Sequence, residues 1–218
     1  NFEDWFIYHN FFTHPSYHFH SSSNFDERQN RKDAFGVYLD IGSFQPYKHS
    51  VTAFFDICLG WSGLCVWSPD LAVNKFFGST RSCNPVAHEC LWRPDNKGAR
   101  TDSAFCGHID RYIKDVVEEY QFHDRFQHQY TRPEHQFEID LVALSIEGAE
   151  FEFLKCFPFE LYSVKVWSIR SIDTYTNKVD ELLLSNGYFK FEQLSLYGAH
   201  PSMIYARKDA VYPWTEET

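Results

Sequence analysis

The stretch GVYLDIGSFQP, residues 36–46, determines how the rest of the chain is interpreted. Its apolar residues predict a short buried strand, and Gly42 stands where a chain turns sharply or approaches a ligand closely. A helical pattern follows over residues 50–59, with Ser50 as its expected N-cap. Strand, glycine turn and helix open a doubly wound α/β sheet, in which ligands bind at the carboxyl ends of the strands. We therefore expect any small-molecule site to lie at this turn.

Strand and helix patterns alternate along the rest of the chain. Further strands are predicted at residues 63–67, 85–87, 137–146, 163–169, 188–196 and 202–207, and further helices at residues 69–77, 109–122, 147–157 and 177–186. This order predicts an α/β fold with a mostly parallel, doubly wound, Rossmann-like sheet that ends in an antiparallel hairpin. We divide the chain into an N-terminal aromatic- and His-rich arm (1–34), one domain (35–210) and a C-terminal tail (211–218).

Charge and composition argue against some classes of function. Lys and Arg number 20 against 30 Asp and Glu, a formal net charge of −10. Nucleic-acid binders need clustered Lys and Arg, so we do not predict nucleic-acid binding for this chain. No apolar run reaches the ~18 residues expected of a transmembrane segment. The His residues of the arm lack a neighbouring Cys or carboxylate set, so no metal site is predicted.

Aromatic residues make up 19% of the chain and include 22 Phe. They predict either a Phe-rich core or an aromatic surface that docks onto a partner. We expect the aromatic N-terminal arm to lie along a protein partner. The compartment is left open: the protein is expected to be soluble or peripheral, in an organelle or a secretory lumen if a targeting segment has been removed.

The six cysteines show no metal-binding spacing. Cys58, Cys65 and Cys156 lie in apolar strand or helix contexts and are predicted to be buried thiols. Cys83 and Cys90 flank a short segment and are a candidate disulfide if the compartment is oxidising.

Three segments resemble the FkbM-family methyltransferases, whose motifs run roughly DIGANxPxxxSNT, GWxGxxVEPxP and SIDVEGAE. Here they read YLDIGSFQPYKHSVT (residues 38–52), LGWSGLCV (59–66) and LSIEGAE (144–150). The similarity keeps order and approximate spacing over residues 36–208. It implies the class I methyltransferase form of the Rossmann-like fold.

The resemblance also implies S-adenosylmethionine as cofactor and methyl transfer to an oxygen nucleophile. The residues that it assigns, or that stand near the assigned positions, are Asp40, Gly42, Ser43, Asp70 and Glu147 for the cofactor and Glu147, His49 and His108 as candidate bases. Such a base takes the proton of the acceptor hydroxyl.

Three acidic positions of the family are replaced in this chain. The acid expected after the second strand, which accepts the ribose hydroxyls, falls at Trp67, and an indole cannot accept a hydrogen bond. The acid of the fourth segment falls at Ser145, and Arg170 stands near the one expected after the fifth strand. We therefore favour a catalytically degenerate domain that serves as a structural or docking subunit of a larger assembly.

Two alternatives remain. The chain could be an active S-adenosylmethionine-dependent O-methyltransferase that acts on a sugar or another small hydroxyl acceptor. Alternatively, the cleft could bind another ligand, with Trp67 as a stacking wall.

Overall fold

The computed structural model describes residues 2–13, 36–42, 46–47, 50–67, 81, 83–87, 136–146, 148–170, 176–194 and 201–210. The predicted helices at 69–77 and 109–122 lie outside these residues. In chain order the described elements are α1 (Phe2–Phe11), β1 (Val37–Ile41), α2 (Ala53–Leu59), β2 (Ser62–Trp67), β3 (Asn84–Ala87), β4 (Phe137–Leu144), α3 (Glu150–Cys156), β5 (Tyr162–Arg170), α4 (Thr176–Ser185), β6 (Tyr188–Leu194), β7 (Ser202–Arg207) and a 3₁₀ turn (Lys208–Ala210). Each predicted strand is present within about two residues of its expected bounds.

The strands form one seven-stranded sheet in the order β3-β2-β1-β4-β5-β7-β6. The pairs among β1 to β5 are parallel. β7 pairs antiparallel with both β5 and β6 and so forms the terminal hairpin. This arrangement confirms the predicted fold class, a Rossmann-like class I methyltransferase fold with a mostly parallel sheet and an antiparallel hairpin.

Both faces of the sheet are covered, because successive side chains of a strand point to opposite faces. In β1, Val37, Leu39 and Ile41 join the core that includes side chains of α3 and α4. Tyr38 joins a second core, which α1 and α2 supply on the opposite face. Helices on both faces make the sheet doubly wound, as the alternation of strand and helix patterns predicts.

Residues 2–13 are the described part of the predicted arm, and they belong to the core of the domain. Phe11 and Phe12 are at most 3% exposed. The Phe12 ring packs edge-on against Trp61, with the ring centroids 4.8 Å apart, and Phe11 packs against Phe191 of β6 at 4.9 Å. This part of the arm therefore packs on the chain's own sheet, while docking of the arm onto a partner stays a prediction.

The two ends of α2 differ in how well the sequence predicts them. Gly60 ends the helix in the left-handed conformation (φ 70°), as predicted, and its N–H donates to the carbonyl oxygen of Asp56. Ser50 is not the N-cap. The structure places Thr52 there without a side-chain capping bond. The prediction fails because the carboxylate of Asp40 accepts hydrogen bonds from both the Ser50 and Thr52 hydroxyls.

The cysteine predictions are wrong in four respects. Cys65 forms a disulfide with Cys83, so Cys65 is not a free thiol and Cys83 does not pair with Cys90. Cys156 is also disulfide-bonded, and Cys58 is a free, exposed thiol. Because β2 and β3 are parallel neighbours, they bring Cys65 and Cys83 to a Cα separation of 5.6 Å. Cys58 instead lies on the outer side of α2.

Gly42 makes the sharp turn that the sequence predicts at the end of β1, with φ 87°. Its N–H donates to the carbonyl oxygen of Val66 at 2.8 Å. A Cβ at this position would lie 2.2 Å from the carbonyl oxygen of Ser145 and 2.7 Å from Cγ2 of Ile146. The glycine is therefore required by backbone packing between the ends of β1 and β4.

Replacing Phe12 by Ala tests whether α1 belongs to the folded domain. We expect Phe12→Ala to lower the free energy of unfolding by roughly 3–5 kcal/mol, since a fully buried ring is removed. Trp5→Ala, at a side chain that is 54% exposed, is the control and should change it by less than about 1 kcal/mol. Urea denaturation measures both; equal small effects would mean that α1 is dispensable for the core.

Gly42→Ala should destabilise the fold far more than Gly187→Ala. Both glycines have φ 87°, so the left-handed backbone costs about 1–2 kcal/mol at either position. A Cβ at Gly187 meets nothing within 4 Å, whereas at Gly42 it meets backbone. We expect an additional loss of roughly 2–3 kcal/mol at Gly42. Thermal denaturation of both variants measures the difference, and similar melting temperatures would contradict this account of the turn.

Candidate functional site

Four parallel strands end at the same level along the carboxyl edge of the sheet. Ile41 of β1 pairs with Val66 of β2 and with Leu144 of β4. Leu144 in turn pairs with Ile169 of β5. The next residue of each strand therefore lies in one row across the edge, in the order Trp67, Gly42, Ser145, Arg170.

This row, which we call the edge row, contains all three replaced acidic positions. Neighbouring strands lie about 4.8 Å apart, so the row spans roughly 14 Å from its first to its last backbone position. The Ser145 N–H donates to the carbonyl oxygen of Ile41 at 2.9 Å, which extends the ladder by one residue past β4. The replacements inferred from sequence therefore fall together at the expected ligand edge.

Arg170 is engaged by a carboxylate from the N-terminal helix. Its Nη2 lies 3.4 Å from Oε2 of Glu3, a residue that is only 2% exposed. The same carboxylate accepts hydrogen bonds from the hydroxyls of Ser168 on β5 and Ser202 on β7. The first turn of α1 is thus bound to the β5 end of the edge row. Among the described residues, Glu3 supplies the only carboxylate within ion-pair distance of Arg170.

Asp40 lies inside the fold, 2% exposed. Its Oδ2 accepts hydrogen bonds from Ser50 Oγ at 2.8 Å and Thr52 Oγ1 at 2.5 Å. The guanidinium of Arg81 lies 3.7 Å from the same oxygen. These contacts tie the end of β1 to the start of α2, so Asp40 has a structural use that is independent of any ligand.

Arg81 is the centre of this buried polar cluster, and its side chain is 1% exposed. Nε donates to Asp56 Oδ2 at 2.5 Å, Nη1 donates to the carbonyl oxygen of Pro46 at 2.6 Å, and Nη2 donates to Thr52 Oγ1 at 2.7 Å. Burial opposes the charged form, but Tyr38 and the Asp40 and Asp56 carboxylates outweigh it and raise the pKa of Arg81. The guanidinium therefore stays charged in the core.

The phenol of Tyr38 completes the cluster. It donates to Asp56 Oδ2 at 2.8 Å, and the Arg81 guanidinium stacks over its ring at 5.6 Å from the centroid. Burial, and next the charge of Asp56, raise the pKa of Tyr38 well above its ordinary value. Tyr38 consequently remains a hydrogen-bond donor at neutral pH and has no ionised form available for acid–base chemistry.

A further carboxylate is used at the turn between β4 and α3. Glu150 is fully buried, and its two oxygens accept the N–H groups of Ile146 at 3.1 Å and Gly148 at 2.9 Å. Glu150 thus stabilises the start of α3.

Several predicted site residues lie outside the described residues: Ser43, Asp70, Glu147, His49 and His108. The structure brings Asp40 and Gly42 close together, and both have packing roles. Sequence reasoning missed Arg81, Asp56 and Glu3. Asp56 carried a signal, since it stands between Phe55 and Ile57 in a helix with few other charges.

Of the residues that the resemblance assigns to S-adenosylmethionine, the structure describes Asp40 and Gly42, and both have packing roles. The position expected to hold the ribose carries Trp67, and the carboxylates of Asp40 and Glu150 accept hydrogen bonds inside the fold. No group of three or more His, Cys, Asp or Glu able to hold a metal ion occurs among the residues that the structure describes. Within the same residues, no helix is long and apolar enough to cross a membrane.

No protein-family model and no curated protein matches the chain. Among solved structures, it is similar to a protein of Pyrococcus horikoshii described as an RNA methyltransferase, with 10% identity, a TM-score of 0.43, and coverage of 78% of this chain and 72% of that one. It is also similar to M. jannaschii TYW2 in complex with AdoMet, with 10% identity, a TM-score of 0.40, and coverage of 86% and 77%. The strand order and the antiparallel hairpin of this chain define its fold.

Proposed function

We propose that this chain is an FkbM-like methyltransferase domain that has lost its catalytic acids and serves as a structural or docking subunit of a larger assembly. The edge row carries the proposal. Trp67, Ser145 and Arg170 occupy three of its four strand ends, at positions where the resemblance expects acids. A ribose at the edge row would find no carboxylate from these positions, and a polar ligand without its hydrogen-bond partners is bound weakly.

The charged groups of Asp40 and Arg170 support the same proposal, because both are bound to other side chains of the domain. Asp40 serves the Ser50, Thr52 and Arg81 cluster, and Arg170 is engaged by Glu3. A ligand that used either charge would have to compete with contacts that stabilise the fold. For the buried Asp40–Arg81 pair, removing one partner costs about 3–5 kcal/mol, which weighs against such an exchange.

The docking role is assigned to the outer side of α1. Phe2 and Trp5 are 53% and 54% exposed, and the Trp5 ring stacks on His9 with the ring centroids 5.0 Å apart. The buried contacts of Glu3 and Phe12 hold this helix to the sheet, so the exposed rings are presented from a fixed position. Exposed Trp and Phe on a rigid helix are typical of the side chains that anchor protein interfaces.

The disulfides support an oxidising compartment. Cys65–Cys83 and the bonded Cys156 would be reduced in the cytosol of most organisms. We place the domain in a secretory or organellar lumen, or outside the cell, where such bonds persist.

Calorimetric titration of the chain with S-adenosylmethionine and S-adenosylhomocysteine tests the loss of the cofactor site. We expect no heat and no thermal shift at millimolar cofactor, because the edge row lacks its acids. Trp67→Glu, which restores one of them, is expected to fold and to gain weak binding. Micromolar binding by the unmodified chain would instead favour an active O-methyltransferase acting on a sugar or another small hydroxyl acceptor.

Native co-purification tests the docking role. The double variant Phe2→Ala/Trp5→Ala should lose proteins that co-purify with the unmodified chain, with its melting temperature unchanged. Leu184→Ala is the matched control, since this side chain is 52% exposed on α4, across the sheet. Equal recovery from the double variant and the control would remove α1 as the docking surface.

A further inference from the structure

The Cys65–Cys83 disulfide lies against the buried guanidinium of Arg81. Cys65 belongs to β2, Cys83 immediately precedes β3, and both are buried. Arg81 precedes Cys83 by two residues, and its Nη2 lies 3.5 Å from Cys65 Sγ. The disulfide therefore restrains the backbone from which Arg81 enters the core.

Arg81 in turn holds the connection between β1 and α2. Its Nη1 donates to the carbonyl oxygen of Pro46 and, at 2.9 Å, to Ser50 Oγ. Its Nη2 donates to Thr52 Oγ1 at 2.7 Å. These contacts hold Pro46, Ser50 and Thr52, which lie between the edge row and α2 in sequence.

The two features are coupled through chain entropy. A guanidinium can be buried only if its donors are satisfied together, which requires several segments to be ordered at once. The disulfide links residues 18 apart in sequence, and such a link removes part of that entropy loss before the core closes. Without the link, the hydrogen bonds of Arg81 and the pairing of β3 with β2 remain among the restraints on this segment.

We propose that the Cys65–Cys83 disulfide is a redox-sensitive latch: its oxidation holds Arg81 in the core against Pro46, Ser50 and Thr52, and its reduction releases these contacts. The latch is a property of the fold and acts whether or not the domain binds S-adenosylmethionine.

The chemistry is thiol–disulfide exchange with an external disulfide. Closing the latch removes two electrons and two protons from the Cys65 and Cys83 thiols and forms one S–S bond. The external disulfide is cleaved, takes up both electrons and both protons, and leaves as two thiols. Reduction by an external dithiol runs the same steps in reverse, through a mixed disulfide.

Hydrogen exchange of the purified chain tests the latch directly. All variants carry Cys58→Ser, so that the exposed thiol does not interfere. We expect the amides of residues 50–59 to exchange at least tenfold faster in Cys65→Ser/Cys83→Ser and in Arg81→Met, because both variants release the same contacts. The amides of α4 (Thr176–Ser185) are the internal control and should be unchanged. Unaltered exchange over residues 50–59 in the Cys65→Ser/Cys83→Ser variant, called the serine pair below, would overturn the proposal.

A double-mutant cycle separates the latch from a disulfide that merely stabilises the fold. With the disulfide present, Arg81→Met should lower the melting temperature by roughly 10 °C. In the serine pair the same substitution should lower it by less than about 3 °C. Arg207→Met is the matched control, since Arg207 pairs with Glu138 away from the cluster, and its effect should be equal in both backgrounds. Equal losses for Arg81→Met in both backgrounds would overturn the proposal.

Native reduction provides the test if the serine pair does not fold. The Cys58→Ser chain is treated with dithiothreitol and alkylated at intervals, and mass spectrometry identifies which cysteines have opened. Exchange over residues 50–59 should rise in step with alkylation of Cys65 and Cys83. Exchange that follows alkylation of Cys156 instead, or that does not change, would overturn the proposal.

Discussion

The structure depends on one buried cation between two buried carboxylates. Arg81 lies within hydrogen-bonding or ion-pair distance of Asp40 and Asp56, and these groups come from β1, α2 and the segment before β3. Charged groups are removed from water only at a high cost in free energy, so the cluster is stable only when all three segments meet. The cluster therefore forms only when the first β–α–β unit is folded. It also explains why the hydroxyls of Ser50 and Thr52 point inward, toward Asp40.

The sheet was predictable because its signals are local and repeated. Apolar runs such as residues 137–146 and glycines such as Gly60 indicate strands and helix ends from neighbouring residues alone. All the described strands lie close to their expected bounds for this reason. The position of α1 was not predictable in the same way, since its aromatic residues suit both a core and an exposed arm. The buried Phe11 and Phe12, together with Glu3 bonded to strands far along the chain, decide in favour of the core.

The polar contacts of the candidate site were the part that sequence could not supply. Ser50 looks like a helix cap because Ser commonly caps helices, yet a carboxylate ten residues earlier uses its hydroxyl. Six cysteines allow fifteen complete pairings, and the observed Cys65–Cys83 bond follows only once β2 and β3 are known to be neighbours. The edge row was partly predictable. The resemblance indicated three of its positions, and the strand register then showed that they lie in one row.

The close approach of Gly42 to Ser145 has a consequence for how such chains change over evolutionary time. A residue kept by packing is selected through folding, so it persists after any ligand that once used it has been lost. We therefore expect the glycine turn and the buried Asp40 to be kept through folding, whatever binds at the carboxyl edge of the sheet. In chains of this fold, a substitution at either residue should be removed by selection on stability before any change in binding is tested.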